Sequence, residues 1–283
     1  MRRGLSLLAL PFLVAALVLV GLPALLTLGL AFTEYDALSP PRFVGLTQFT
    51  RLWNDPLFWT ALNNSLLFAA LTVPARLLLA LGLALALSRG GQVARAAVFL
   101  PSVVPDIAYA LLWLWLLNPL YGPLSSILEL TGPGSGWLLT TWGARGSLAL
   151  LTLFQVGEMF VVLLAARREL PVELYELAAM EGSSAFHTFR SVTLPLLWPT
   201  LGLLAARDVV LSLQATFVPA LVITHGGPRY ATTFLPLYLY QNGFEYLRLG
   251  YASAMTWVMF LVTALMVGVQ LWVLSAWRAA RVD

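Results

Sequence analysis

Five charged residues interrupt otherwise apolar runs of this chain: Arg76, Asp106, Glu158, Arg207 and Asp208. Because an isolated charge in an apolar environment is costly, such side chains usually pair with one another or line a polar cavity. The carboxylates could bind and release protons, as in an ion-coupled carrier. The set could equally form a polar path for a hydroxyl-rich solute, or structural ion pairs between helices. Arg207 and Asp208 cannot face one spot, because successive helical residues point about 100° apart.

Two further pairs of residues suit a path for a hydroxyl-rich solute. Gln155 lies one helical turn before Glu158, and Gln214 lies three residues before Phe217. Amide and carboxylate groups hydrogen-bond hydroxyls, while an aromatic ring offers a flat apolar face. We therefore take Gln155, Glu158, Gln214 and Phe217 as candidate path residues.

The composition excludes several classes of function. Of the 283 residues, 60% are hydrophobic and 10% are charged, whereas a soluble domain has about 25% charged residues. There is no cysteine, which excludes disulfides, thiolate catalysis and cysteine metal sites. All 16 basic residues are arginines, so the chain lacks the lysine of a Walker A phosphate loop. With only two histidines as well, we predict no metal site, no cofactor and no enzymatic activity on this chain.

Six apolar runs are long enough to cross a membrane, which takes about 20 residues. They cover residues 5–32, 62–87, 96–117, 147–166, 196–222 and 252–277. The first run resembles a signal peptide, but it is longer than a signal core of about 7–15 residues and no small-residue cleavage site follows it. We therefore predict an all-α integral membrane protein in which six transmembrane helices form a single domain over residues 1–283.

The arginines outside the spans predict the orientation, because cytoplasmic connections carry the excess of positive charge. One set of connections holds nine arginines: Arg2, Arg3, Arg89, Arg95, Arg167, Arg168, Arg190, Arg278 and Arg281. The other set holds five: Arg42, Arg51, Arg145, Arg229 and Arg248. Both termini and the loop between the fourth and fifth spans are therefore expected on the cytoplasmic side of the inner membrane.

That loop is the most acidic segment of the chain, and residues 171–195 read as two short helices. Pro171 suits the first turn of a helix, where its missing N–H is not needed. Gly182 can adopt the left-handed conformation that ends a helix, and one of the two serines after it can cap the next helix. Pro195 predicts that this second helix ends near Leu194.

The same segment carries a spaced pattern: Glu176-Leu177-Ala178, Gly182 after three more residues, and Val192-Thr193-Leu194-Pro195 after nine more. This pattern resembles the coupling loop in the membrane subunits of binding-protein-dependent ABC importers, which reads Glu-Ala-Ala, three residues, Gly, nine residues and Ile-x-Leu-Pro. The departures are Leu177 for alanine and Val192 for isoleucine. The preceding Glu173-Leu174-Tyr175 is similar to the sugar-importer branch of the family.

The resemblance implies that the chain is one permease subunit of an ATP-driven sugar importer. Its loop would lie in a groove of an ATPase subunit, with Glu176 paired to a basic group of the ATPase. Ala178 would allow close approach, Gly182 would allow the sharp turn, and Glu173 would belong to the same coupling site. Leu194 and Pro195 would complete this coupling site. The implied partners are a second homologous permease, two ATPase subunits that bind ATP and Mg, and an extracytoplasmic solute-binding protein.

Further motifs extend the resemblance over nearly the whole chain. They are Phe43-Val44-Gly45-Leu46, Asn63-Asn64-Ser65, Leu100-Pro101, and Thr224-His225-Gly226-Gly227-Pro228 with Thr232. They are most similar to the first permease of a maltose or glycerol-3-phosphate type system. By this resemblance, Gly226, Gly227 and Pro228 would belong to an outer loop on which the binding protein docks.

Two alternatives stay open. One is a secondary transporter driven by protons or ions, with Asp106, Glu158 or Asp208 as the titrating group. It leaves the pattern from Glu176 to Pro195 unexplained, and we detect no internal repeat of the kind that such transporters often contain. The other is an importer permease for a non-sugar solute, such as an amino acid or phosphate.

Overall fold

The computed structural model describes residues 10–88, 90–124, 127 and 136–279, which are almost entirely helical. The helices are α1 (Leu10–Leu30), α2 (Thr47–Trp53), α3 (Pro56–Ala86), α4 (Gln92–Val103), α5 (Asp106–Leu116), α6 (Thr141–Phe154), α7 (Gly157–Arg168), α8 (Val172–Met180), α9 (Ala185–Thr224), α10 (Leu235–Tyr240) and α11 (Leu249–Ala279). Two short strands, β1 (Thr33–Glu34) and β2 (Arg42–Phe43), pair antiparallel.

Four of these helices are individually long and apolar enough to cross a membrane: α1, α3, α9 and α11. If each of two bent helix pairs counts as one span, the described part of the chain has up to six candidates. The predicted all-helical membrane architecture is therefore confirmed, while the count of six spans stays a prediction.

The third predicted run, residues 96–117, is not one continuous helix. Helices α4 and α5 meet at an angle of 100°, because Val104 is extended (ψ 129°) immediately before Pro105. A proline disfavours the helical conformation in the residue before it. Asp106 consequently begins a new helix, instead of lying deep within one. The fourth run is also bent, by 42°, where α6 gives way to α7.

The prediction that Pro195 ends a short second helix is wrong. The chain is helical from Ala185 to Thr224, a stretch of 40 residues that includes the predicted fifth span. A wide π-helical turn at Phe189–Thr193 precedes the proline, which then occupies the first turn of a regular segment. Such a turn rearranges the local hydrogen bonds, so the missing N–H of Pro195 does not end the helix.

Two compact units make up the chain. One contains the residues up to Trp59 together with Tyr238–Val262, and the other contains Thr60–Leu237 together with the residues from Thr263 onward. The second unit has an apolar cluster around Phe160, Leu163 and Leu197. It has another around Trp113, Leu148 and Phe234. These clusters fix the helices that position the candidate cavity described below.

In the first unit, Asp55 joins two distant parts of the chain. Its Oδ2 accepts hydrogen bonds from the hydroxyls of Tyr238 (2.5 Å) and Tyr251 (2.6 Å). Burial disfavours ionisation of Asp55, but these hydrogen bonds outweigh it and hold its pKa below the ordinary value. Burial, reinforced by the Asp55 carboxylate, raises the pKa of Tyr238 to about 12.

Several arginines used to predict the orientation fall outside the described residues. They are Arg2, Arg3, Arg89 and Arg281, and the side chain of Arg278 is also outside. The orientation of the termini therefore stays a prediction.

Candidate functional site

A cavity of about 270 Å³, lined by both polar and apolar side chains, lies among helices of the second unit. Its volume is close to the lower end of the range for ligand pockets, about 300–1,000 Å³. The residues that line it come from α3, α4, α5, α6, α7 and α9, and they include four of the five charged residues picked out from the sequence. The polar lining residues are Arg76, Ser102, Asp106, Tyr109, Thr152, Gln155, Glu158, Arg207, Ser212 and Thr216.

The deepest charge at this site is Asp208, whose side chain is fully buried. Its Oδ1 lies 2.9 Å from a guanidinium nitrogen of Arg76. Arg76 also donates to the backbone carbonyl of Gln155, at 3.3 Å. Since neither charge could be buried alone without a large desolvation cost, this pair ties α3 to α9 and anchors the bend between α6 and α7.

A second ion pair joins Arg207 to Glu158. Both side chains are about half exposed, 47% and 55% respectively, in contrast to the buried Arg76–Asp208 pair. An exposed pair contributes little to stability, so its partners can separate at low cost. Helices α7 and α9 are therefore connected at the cavity by an accessible ion pair.

Buried hydroxyl groups add unused hydrogen-bonding capacity. Ser212 and Thr216 line the cavity, and neither hydroxyl has a hydrogen-bond partner among the described residues. Behind them, Oδ2 of the buried Asp208 also has no hydrogen bond from the described residues, while Oδ1 is paired with Arg76. Because buried polar groups are normally satisfied, this wall of the cavity suits a water or a solute that both donates and accepts hydrogen bonds.

The wall has a simple origin in the sequence. Asp208, Ser212 and Thr216 follow one another at intervals of four residues on α9, and residues at this spacing share a helix face. Ser212 and Thr216 were not among the residues predicted from the sequence, although their spacing from Asp208 is a signal that could have identified them. Ser102 and Tyr109 were not predicted either, because the bend between α4 and α5 and the packing of α6 bring them to the cavity.

Among the predicted path residues, Gln155 and Glu158 line the cavity, whereas Gln214 and Phe217 do not. Gln214 is exposed, on a different face of α9 from Ser212 and Thr216. Phe217 packs against the apolar cluster that contains Trp113 and Leu148. The structure therefore places Gln155 and Glu158 at the cavity and Gln214 and Phe217 away from it.

Gly157 allows two segments to approach closely beside the cavity. Its N–H donates to the hydroxyl of Ser102 at 3.0 Å. A methyl group in place of its hydrogen would lie 2.6 Å from that hydroxyl oxygen and 2.8 Å from the Cα atom of Phe99. A glycine is needed here because of this contact between α4 and α7.

The acidic loop forms α8 and a sharp turn, as the local sequence predicts. Pro171 is the N-cap residue of α8, and Glu173 lies in its first turn, where the helix dipole favours a carboxylate. Gly182 is left-handed, with φ +72°. The side chain of Ser184 then caps the next helix, accepting a hydrogen bond from the N–H of His187 at 3.2 Å.

The exposed face of α8 combines charge with apolar surface. Glu173 and Glu176 are both exposed, and Leu177 and Met180 are 56% and 84% exposed. Ala178, by contrast, is buried within the chain. The expectation that Ala178 allows close approach of a partner is therefore not supported by its position, because its methyl group faces inward.

The opposite face of α8 is fixed to the start of the long helix. The hydroxyl of Tyr175 hydrogen-bonds that of Thr193 at 3.0 Å, and the guanidinium of Arg167 stacks 4.3 Å above the Tyr175 ring. Leu194 is half-buried against the cluster that contains Phe160 and Leu197. Helix α8 is thus held against α9 through defined contacts.

The loop that is predicted to face outward, called the outer loop below, begins at the other end of α9. Gly226 is buried and left-handed (φ +80°), and a methyl group on it would lie 2.5 Å from the hydroxyl of Thr233. Gly227 and Pro228 are partly buried, whereas His225, Arg229 and Tyr230 are exposed. Glycine therefore shapes this loop, and its exposed side chains are the ones available to a partner.

Three comparisons place this geometry among known proteins. The family model described as "Binding-protein-dependent transport system inner membrane component" matches residues 76–279. The chain is 31% identical over 264 residues to the "Probable ABC transporter permease protein YesP" of Bacillus subtilis, covering 90% of this chain and 85% of that protein. It is 32% identical over 250 residues to the "Trehalose/maltose transport system permease protein MalF" of Thermococcus litoralis, covering 86% and 83%.

A solved structure has the same fold. It is described as a bacterial alginate ABC transporter in complex with an alginate pentasaccharide-bound periplasmic protein. The match has a TM-score of 0.81 at 21% identity, and it covers 95% of this chain and 92% of the matched chain.

Proposed function

Because the chain belongs to the family of binding-protein-dependent transport system inner membrane components, we propose that it is the permease subunit of an ATP-driven importer for a sugar or related polyol. The cavity around Arg76 and Glu158 is part of the substrate path. The binding protein delivers the solute to the outer loops, and the ATPase subunits act on α8 from the cytoplasm. ATP and Mg are bound by those partner subunits, and a second permease completes the path.

The observation that carries this proposal is the continuity of α9. The helix begins directly after the Gly182 turn, and about 33 Å further along it carries Arg207, which lines the cavity. A push on the turn therefore moves the wall of the cavity, because a helix transmits displacement along its axis better than a loop does. Tyr175 strengthens this link by hydrogen bonding to Thr193 on α9.

The chemistry of the cavity favours a hydroxyl-rich solute. The hydroxyls of Ser212 and Thr216 have free hydrogen-bonding capacity, while Glu158 and Arg207 offer a charged acceptor and donor at the same cavity. Sugar hydroxyls both donate and accept hydrogen bonds, so they can satisfy all of these groups. The trehalose/maltose permease among the relatives supports the same class of substrate.

The surface of α8 suits the ATPase partner. Glu173 and Glu176 would register the helix against basic groups of the ATPase, and Leu177 and Met180 would supply the apolar contact. Exposed charge pairs contribute about 0–1 kcal/mol each, so the apolar side chains provide most of the affinity. Gly182 keeps the turn in a conformation that other residues adopt only with strain.

The test is uptake into vesicles that contain this chain with its partner permease and ATPase, with the binding protein outside and trehalose and maltose as the probe sugars. We expect uptake to require ATP and the binding protein. Glu176→Ala and Gly182→Leu should assemble but fail to transport, whereas Glu169→Ala, an exposed carboxylate outside the motif, should behave as the wild type. Uptake that follows a proton gradient and ignores both substitutions would contradict the importer and favour the ion-coupled alternative.

A further inference from the structure

The outer loop between α9 and α10 is held by two side chains from other helices. Asn64, on α3, donates from its amide nitrogen to the carbonyl oxygens of Tyr230 (2.8 Å) and Thr233 (3.2 Å). Arg145, on α6, donates from Nε to the carbonyl oxygen of Ala231 at 3.0 Å. Three carbonyl groups within four residues of the loop are therefore bound by these two side chains.

Asn64 and Arg145 also bind each other. A terminal guanidinium nitrogen of Arg145 donates to Oδ1 of Asn64 at 2.7 Å, and the side chain of Asn64 is buried. The amide of Asn64 consequently uses both its acceptor and its donor group, and its orientation is fixed by its partners. We call this arrangement the loop clamp.

The loop on which the clamp acts is internally bonded and should move as a unit. The hydroxyl of Thr232 donates to the carbonyl oxygen of Gly227 at 2.7 Å, and its oxygen also lies 2.7 Å from the hydroxyl oxygen of Thr224. The hydroxyl of Thr233 donates to the carbonyl oxygen of Gly226 at 3.0 Å. A displacement of the exposed loop surface is therefore passed to the backbone carbonyls that the clamp binds.

The two helices that provide the clamp also provide walls of the cavity. On α3, Arg76 follows Asn64 by 12 residues, about 18 Å along the helix. On α6, Thr152 follows Arg145 by seven residues, about 10 Å along the helix. All four residues belong to the same compact unit. The clamp thus connects the outer loop to the cavity through two continuous helices.

We propose that Asn64 and Arg145 are positioning residues that transmit docking of the binding protein from the outer loop to the substrate cavity. The proposal rests on the proposed function, in which the loop faces the binding protein. It also gives a physical role to two motifs that the coupling helix and the cavity do not explain. Asn64 and Ser65 hold the loop, Ser65 by accepting the N–H of Leu235 at 2.8 Å, and Thr224 and Thr232 stiffen it.

The clamp can be tested with substitutions that alter few atoms. Asn64→Asp keeps the acceptor for Arg145 but replaces the donor with a second oxygen, which faces the carbonyls of Tyr230 and Thr233. Its matched control is Asn63→Asp, which places the same charge on the neighbouring exposed residue. Arg145→Lys is a second clamp variant that keeps the charge but loses the two-pronged geometry.

The assay uses the complete complex in nanodiscs, with this chain, its partner permease and the ATPase subunits. The basal ATPase rate is measured first, and then the rate as purified binding protein is added with maltose or trehalose. We expect Asn64→Asp and Arg145→Lys to keep the basal rate and the assembly of the complex. The stimulation by saturating binding protein should fall about fivefold or more, in the range of typical coupling between sites.

Each outcome of this experiment decides the proposal. Wild-type stimulation in Asn64→Asp and Arg145→Lys would overturn it, as would equal losses in Asn63→Asp. Failure of both clamp variants to assemble would assign the clamp to folding and would also overturn it. If the wild type itself shows no stimulation by the binding protein, the proposed function fails first, and the role of the clamp fails with it.

Discussion

Arg207 and Asp208 are adjacent in sequence, yet each forms its ion pair with a different helix. Arg207 binds Glu158 of α7, at the accessible side of the cavity, and Asp208 binds Arg76 of α3 in the interior. The divergence follows from the helical period, since neighbouring side chains point about 100° apart. One turn of α9 therefore carries both a buried ion pair and an accessible one.

The two pairs should respond differently to neutralisation. Asp208→Asn leaves the mostly buried Arg76 without its counter-charge, which for a buried pair costs roughly 3–5 kcal/mol. Glu158→Gln breaks an accessible pair, so its cost should be about 0–1 kcal/mol. We expect a large fall in the melting temperature of the purified complex for Asp208→Asn, and reduced uptake with a nearly unchanged melting temperature for Glu158→Gln.

A double variant that swaps the two charges of the buried pair tests whether the loss of stability comes from the unpaired charge. The double variant Arg76→Asp with Asp208→Arg should recover part of the melting temperature that Asp208→Asn loses. Equal effects of Asp208→Asn and Glu158→Gln on stability would show that burial does not separate the two pairs.

Gly182 should tolerate only residues that accept its left-handed conformation. Its φ is +72°, and a Cβ atom there would meet no atom within 4 Å, so the constraint comes from the backbone and not from space. Gly182→Asn should retain most of the uptake, because asparagine tolerates this region. Gly182→Val should lose it, since β-branched residues there are strongly strained.

The measurement is ATP-dependent uptake divided by the amount of assembled complex, so that differences in expression between variants do not affect the comparison. Retained uptake in Gly182→Val would mean that the turn can adopt another conformation and that its shape is not needed for coupling.

Gly157 should be intolerant of even a methyl group. In Gly157→Ala the new carbon would lie 2.8 Å from the Cα atom of Phe99, so α4 and α7 must move apart. Overpacking of this kind costs about 1–3 kcal/mol, and it displaces Ser102 at the cavity. Gly82→Ala is the matched control, since a methyl group there meets no atom within 4 Å. Melting temperature and uptake of both variants test this; similar values for both would contradict it.

The Asp55 cluster should make the first unit sensitive to acid. Because the pKa of Asp55 in the folded chain is lowered from its ordinary value of 3.8, the carboxylate stabilises the fold above that value. This stabilisation is lost as the pH falls through the folded pKa. The melting temperature of Asp55→Asn should therefore lie below that of the wild type at neutral pH, and the difference should shrink below pH of about 4.

Tyr238→Phe checks the cause of this pH dependence. It removes one of the two hydroxyl donors, so the pKa of Asp55 in the folded chain should move back toward its ordinary value. The stabilisation by the carboxylate should then be smaller, and its loss on acidification should be complete at a higher pH than in the wild type. A difference between wild type and Asp55→Asn that stays constant from neutral to acid pH would contradict the role of ionisation.

The sequence alone predicts much of the local structure of residues 171–184. Its features are local, so they depend on neighbouring residues and not on distant packing. The left-handed Gly182 and the capping serine after it follow from backbone preferences. The apolar runs likewise predict an all-helical membrane protein. In the bilayer core no water is available to the backbone N–H and C=O groups, so a helix must provide their hydrogen bonds. The same local reasoning is wrong at Pro195, where a preceding π-helical turn accommodates the proline.

The cavity and the loop clamp depend on tertiary structure. The sequence identifies Gln155, Glu158, Gln214 and Phe217 with equal weight, but only the packing of α6, α7 and α9 selects the first two. Asn64 and Arg145 are 81 residues apart, and no local pattern links them. Local preferences determine which segments are helical and where they turn. Which polar side chains meet is decided by the packing of separate helices, because a pairing between distant residues has no periodic signal in the sequence.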